Sequence, residues 1–102
     1  MTPSISSYIY CLCAGNYHKF VNTDKIENVP MRIFCRKSKA PHTDPVETFR
    51  ILSEGIKFYE TLFGCPFPFA KYDIIYCPEY RIGAMENVGA VTFNDIFIKV
   101  KD

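Results

Sequence analysis

Residues 78–89, Pro-Glu-Tyr-Arg-Ile-Gly-Ala-Met-Glu-Asn-Val-Gly, combine the types best suited to chemistry in this chain. Glu86 is a carboxylate between Gly83 and Gly89, and no basic side chain follows Arg81 in the segment. Glycine lets backbone approach a ligand closely, and an extended edge pairs with a peptide through main-chain hydrogen bonds. A carboxylate beside such an edge can hold an ammonium ion. On residue types alone a plainer reading stands next to this one, a surface turn with an exposed glutamate.

The other chemistry-bearing residues are scattered. Cysteines stand at 11, 13, 35, 65 and 77, with no Cys-x-x-Cys pair and no Cys-and-His cluster. Zinc ligand spacing is therefore missing from them, and reduced, mostly buried thiols are expected. Cys11 and Cys13 would share one face of a strand, where bridging to each other is difficult. His18 and His42 are 24 positions apart in turn-like contexts and read as surface residues.

Stepping outward, the elements that must position Glu86 can be read from pattern. Ser6 to Gly15 contains the β-favouring run Tyr8-Ile9-Tyr10-Cys11-Leu12-Cys13, closed by Gly15-Asn16. Val29 to Lys37 predicts a second strand with Met31, Ile33 and Cys35 on one face. Asn22 to Lys25 and Glu27-Asn28 predict a hairpin turn region. Ser38 to Pro45 carries two prolines and several polar residues, which suggests a linker or domain boundary. A helix then starts with Asp44 as cap, Pro45 in the first turn and Glu47 at the capping-box position. Phe49, Leu52, Ile56, Tyr59 and Phe63 form its apolar stripe, and Gly64 with Pro66 ends it. Tyr72 to Cys77, Ala90 to Phe93 and Ile96 to Val100 predict three further strands, with Tyr8, Tyr10, Tyr72 and Tyr76 as strand packing.

Composition narrows the function classes. Hydrophobic residues make up 48% of the 102 and charged residues 23%, which is globular material rather than a disordered tail. A net charge of +1 gives no electrostatic reason for a nucleic acid or an anionic membrane as partner. The basic run Arg36 to Lys39 reads as a solvated strand end. The apolar stretch Tyr8 to Ala14 is far short of the roughly 20 residues that a membrane helix needs. No secretory signal pattern opens the chain, so a cytoplasmic setting is expected unless a targeting segment lies upstream.

Gly83-Ala84-Met85-Glu86-Asn87 matches the Gly-Ala-Met-Glu-Asn signature of the M1 family of zinc aminopeptidases, and the chain resembles that family along most of its length. Thr2-Pro3-Ser4-Ile5-Ser6-Ser7-Tyr8 is similar to the family's Thr-Pro-x-x-Ser-x-Tyr strand, and Ala14-Gly15 to its close. Phe58-Tyr59-Glu60 with Pro66-Phe67-Pro68, Lys71-Tyr72-Asp73, Pro78-Glu79-Tyr80 and Val91-Thr92-Phe93 continue the likeness in order. Val88 stands where members often have Trp. Ala84 counts against the family's epoxide-hydrolase branch, whose signature tends to begin Gly-Gly.

The resemblance implies an α+β fold, with a mixed sheet and a helix. Residues 1–40 would end a β-rich N-terminal domain, and 41–102 would start a thermolysin-like catalytic domain carrying the amine-recognition segment. It implies a parent that removes N-terminal amino acids from peptides, using one zinc ion whose His-Glu-x-x-His ligands lie outside these residues. Gly83, Ala84, Met85, Glu86 and Asn87 would bind substrate, with Glu86 on the free α-ammonium, Met85 at the pocket wall and Asn87 chiefly holding the turn. Partners would be peptides with a free N-terminus and the rest of the parent polypeptide. The isolated 102 residues would be inactive, with no catalytic residue and no metal ligand of their own. The alternative is a non-catalytic interaction module, a relative that keeps the scaffold without a metal site.

Overall fold

A computed structural model describes residues 2–23 and 29–102. The expected turn at 22–28 therefore lies outside the described residues from Asp24 to Asn28. Five strands form one sheet: β1 (Tyr17–Val21), β2 (Met31–Arg36), β3 (Tyr72–Cys77), β4 (Ala84–Met85) and β5 (Ala90–Asn94). Their spatial order is β1-β2-β3-β5-β4. The inner pairs β2–β3 and β3–β5 are parallel, and the outer pairs β1–β2 and β4–β5 are antiparallel. The sheet is thus mixed, with one long helix, as the α+β expectation had it. Strands from both sides of residue 40 share it.

Parallel central strands need cover on both faces and so read as continuous apolar runs. In β3, Asp73, Ile74, Ile75 and Tyr76 are all buried. Alternation sends Met31, Ile33 and Cys35 of β2 to the same side as Ile74 and Tyr76, where they form the core with Phe49 of α1 (Pro45–Phe63). Asp44 caps that helix by accepting from the Glu47 amide at 3.1 Å, and Gly64 closes it at φ +67°. The Glu47 carboxylate does not complete a capping box. It takes two hydrogen bonds from Arg50, both at 2.8 Å, and that pairing lowers its pKa. The apolar stripe is core only in its first half: Phe49, Leu52 and Ile56 pack on the sheet, whereas Tyr59 and Phe63 are exposed.

Three sequence expectations are corrected. Ser6 to Gly15 is not a strand. The Ser6 hydroxyl accepts from the Tyr8 amide and starts a 3-10 turn over Ser7–Ile9, after which the chain runs without a sheet partner. Tyr8 and Tyr10 are therefore exposed rather than strand packing. Ile96 to Val100 is not a strand either. The Asn94 side chain caps a 3-10 turn at Asp95–Phe97, and only Val100 makes a β-bridge, to Thr43. Ser38 to Pro45 is no loose linker: Thr43 is fully buried, its hydroxyl donates to Lys39 O at 2.8 Å, and the Asp44 amide donates to Lys99 O at 2.8 Å. Among the described residues no helix is long and apolar enough to cross a membrane.

Candidate functional site

The Gly83–Asn87 segment sits on the sheet's edge. β4 pairs only with β5, Ala84 opposite Phe93 and Met85 opposite Thr92. The Asn94 amide donates to Gly83 O at 2.8 Å, which makes Gly83–Asn94 and Met85–Thr92 the hydrogen-bonded pairs. Antiparallel ladders alternate, so the N–H and C=O of Ala84 point away from β5. They form a free edge on which an extended chain can add. Glu86 follows at once and is exposed. It forms no ion pair or hydrogen bond to any described residue.

Two networks fix this edge. In the first, buried Asn87 donates through Nδ2 to Ala90 O at 3.3 Å and to Thr92 Oγ1 at 3.1 Å, while its own carbonyl accepts from the Ala90 amide at 3.2 Å. The Tyr80 hydroxyl meets Thr92 Oγ1 at 2.7 Å, and Asn94 Nδ2 donates to Tyr80 O at 2.8 Å. Those bonds clamp both ends of the 78–89 loop onto β5. Glu79 enters the loop with a positive φ of 53°, a turn geometry uncommon outside glycine.

The second network lies under Gly89. Asp73, buried in β3, accepts from Arg32 Nε at 2.8 Å, Arg32 Nη2 at 2.7 Å and Lys71 Nζ at 2.8 Å. Lys71 Nζ also donates to Gly89 O at 2.7 Å, and the Asp73 amide donates to the same oxygen at 2.9 Å. Gly89 has φ +60°, and a Cβ there would stand 2.8 Å from Lys71 O. Only glycine combines that φ with that approach.

The five residues singled out by sequence thus divide. Gly83, Ala84 and Glu86 present edge and carboxylate, Asn87 is a buried brace, and Met85 is partly buried on the Thr92 side. Sequence reasoning gave no role to Tyr80, Thr92, Lys71 or Asp73. The spacing of Lys71 and Asp73, two apart on a strand, did carry a signal, since it sends both side chains to one face. His18 and His42 are exposed, as expected, on β1 and on the 3-10 turn at 40–42. Among the described residues no three His, Cys, Asp or Glu side chains converge as a metal site would require, so the residues present do not fit a zinc ion. The thiols differ from expectation: only Cys35 is buried, Cys11 and Cys77 are half-buried, and Cys13 and Cys65 are exposed. Cys11 and Cys13 are not held apart on a strand, and their sulfurs are 3.4 Å from each other.

The sequence profile of the peptidase family M1 domain matches residues 47–102, from the first turn of α1 through β5 and the residues that follow it. The chain belongs to peptidase family M1. It is 40% identical over 99 residues to aminopeptidase N of Streptomyces lividans, an alignment covering 95% of this chain and 12% of that protein. It is 35% identical over 98 residues to tricorn protease-interacting factor F2 of Thermoplasma acidophilum, covering 93% and 11%. With leucyl aminopeptidase of Saccharolobus solfataricus it shares 31% over 101 residues, covering 99% and 12%. The M1 chain described here therefore spans roughly a tenth of the length of these curated relatives.

Proposed function

We propose that this chain supplies the substrate-amine subsite of an aminopeptidase, with Glu86 holding the free α-ammonium of a peptide. The observation that carries the reading is the placement of Glu86: an exposed carboxylate with no partner among the described residues, next to the outward main-chain groups of Ala84. The N-terminal end of a peptide adding to that edge donates to and accepts from Ala84. Its ammonium then donates to Glu86 Oε1 or Oε2. Such a charge-assisted hydrogen bond contributes roughly 1.5–3 kcal/mol. An acylated amine carries no charge and has one N–H, so it forgoes most of that gain. Selection for the chain end follows, because the edge fixes how far the peptide backbone can advance beyond the ammonium.

Family membership and the printed names of the relatives support peptide-bond hydrolysis as the reaction class. A zinc ion, which the resemblance to zinc aminopeptidases implies, would polarise the scissile carbonyl when bound. This chain's described residues do not fit it, and their part is binding, orientation and charge recognition. The networks at Asn87 and Asp73 serve that part by holding the loop rigid, since a recognition group must be fixed within about half an ångström to act as a ruler. The test is steady-state kinetics of the full-length enzyme carrying Glu86→Gln on an aminoacyl-fluorophore. A fall in kcat/KM of roughly 10- to 100-fold or more is expected, the equivalent of 1.5–3 kcal/mol. An unchanged value removes the amine-binding role.

A further inference from the structure

Outside the recognition edge, Cys11 and Cys13 hold their sulfurs 3.4 Å apart. We propose that these two cysteines form a redox-active dithiol that closes to an intrachain disulfide by exchange with a small-molecule disulfide such as glutathione disulfide.

Three observations carry it. The first is reach. A disulfide needs the sulfurs at about 2.05 Å, so the pair lies within about 1.4 Å of bonding distance, a gap that side-chain rotation can close. The second is freedom of the backbone. Among the described residues no main-chain hydrogen bond is made by residues 11–15; the flanking anchors are the Val88 amide on Ile9 O at 3.1 Å and the start of β1 at Tyr17. Ring closure across Cys-x-Cys therefore breaks no ladder bond. The third is access. Cys13 is exposed, Cys11 is half-buried, and both line a concavity of about 460 Å³ that also includes Lys71. Burial, followed by Cys11, raises the Cys13 thiol and outweighs the lowering by Lys71, so exchange speeds up as the pH is raised.

The remaining cysteines are differently placed. Cys35 is fully buried with its sulfur 4.0 Å from Thr43 Oγ1. Cys77 directs its thiol to Ile75 O at 3.7 Å. Cys65 is exposed just past the end of α1.

The exchange balances as follows. One protein thiolate attacks a sulfur of glutathione disulfide, forming a mixed disulfide and releasing one glutathione thiolate. The neighbouring cysteine, as thiolate, attacks the protein-side sulfur, forms the Cys11–Cys13 bond and releases the second glutathione thiolate. Two electrons pass from the protein pair to glutathione disulfide, and the two protein protons are taken up as two glutathione thiols form.

The experiment uses the reduced, purified protein, incubated over a range of glutathione to glutathione disulfide ratios, quenched in acid, alkylated with iodoacetamide in denaturant and digested with trypsin. Residues 1–19 leave as one peptide, since Lys19 is the first basic cleavage site, and that peptide holds Cys11 and Cys13 and no other cysteine. The expected product is this peptide unalkylated and lighter by a pair of hydrogens, in excess over its glutathione adducts. Cys11→Ser and Cys13→Ser should each convert it to a glutathione adduct on the remaining thiol, and Cys77→Ser should change nothing. Glutathione adducts in the wild-type protein at the level of the single variants would overturn the proposal. So would full alkylation at every ratio, or a disulfide linking the 1–19 peptide to Cys77.

Discussion

Gly89→Ala tests whether the loop bearing Glu86 is held by close backbone packing beneath it. Two penalties add at this site. An Ala at φ +60° pays about 1–2 kcal/mol for the left-handed conformation. Its Cβ would also lie 2.8 Å from Lys71 O, a backbone atom that cannot swing aside. Relieving the clash moves Gly89 O away from Lys71 Nζ and the Asp73 amide, one charged and one neutral hydrogen bond. Even partial loss of these costs about 1–3 kcal/mol, for a total of about 2–5 kcal/mol. Gly64 is the control: its φ is +67°, yet a Cβ there meets nothing within 4 Å, so Gly64→Ala should cost only the conformational part. Urea denaturation followed by circular dichroism should give Gly89→Ala the larger drop in midpoint. Asn tolerates the left-handed region, so Gly64→Asn should recover part of its loss, whereas Gly89→Asn should not. Equal midpoint shifts for the two alanines, or recovery by Asn at both sites, would show that conformation alone sets the cost at Gly89.

Further outcomes follow from the same contacts. Asn87→Asp should destabilise more than Asn87→Ala, by about 1–2 kcal/mol, because a buried carboxylate would face Ala90 O where an amide now donates; denaturation midpoints check the order. Asp73→Asn should cost about 2–3 kcal/mol, since a second donor would face Arg32 and Lys71, both themselves part-exposed; faster amide hydrogen exchange at Ala90 should accompany it. The Cys13 thiol is pushed up to about 11, first by burial and then by Cys11 beside it. Its reactive anion appears only as pH climbs through that value, so iodoacetamide should react with it slowly at pH near 8. Cys11→Ser removes two of the raising causes and should speed the reaction several-fold at the same pH, read by mass spectrometry; an unchanged rate would put the shift on burial and Cys77.

Local rules served well where tertiary context agreed with them. Asp44, Pro45 and Gly64 bracket the helix because capping depends on adjacent backbone, and Met31, Ile33 and Cys35 face the core because strand alternation is a property of the chain itself. Elsewhere a non-local partner decided. Tyr8 to Cys13 has strand-forming residues but pairs with no strand among the described residues, and Asn94 caps a 3-10 turn that cuts short the expected strand at 96–100. Tyr59 and Phe63 continue the helical period but extend beyond the sheet they would cover. The candidate site was legible as a short stretch around Glu86, through its glycines and its signature. Its supports were not, since the contacts of Tyr80 with Thr92 and of Lys71 with Gly89 depend on how the 78–89 loop folds back onto β5 and β3.

Crossing the enzyme with the substrate decides whether Glu86 reads a free α-ammonium. Wild-type and Glu86→Gln full-length enzymes would each be assayed on one peptide with a free N-terminus and on its N-acetylated form. The change removes the charge and keeps the size, so free-amine kcat/KM should fall roughly 10- to 100-fold or more, while the acetylated peptide, poor from the start, should lose far less. A difference between the two losses is the signature of charge recognition. Equal losses on both peptides would mean that Glu86 only supports the fold of the edge, and the amine-binding account would be wrong.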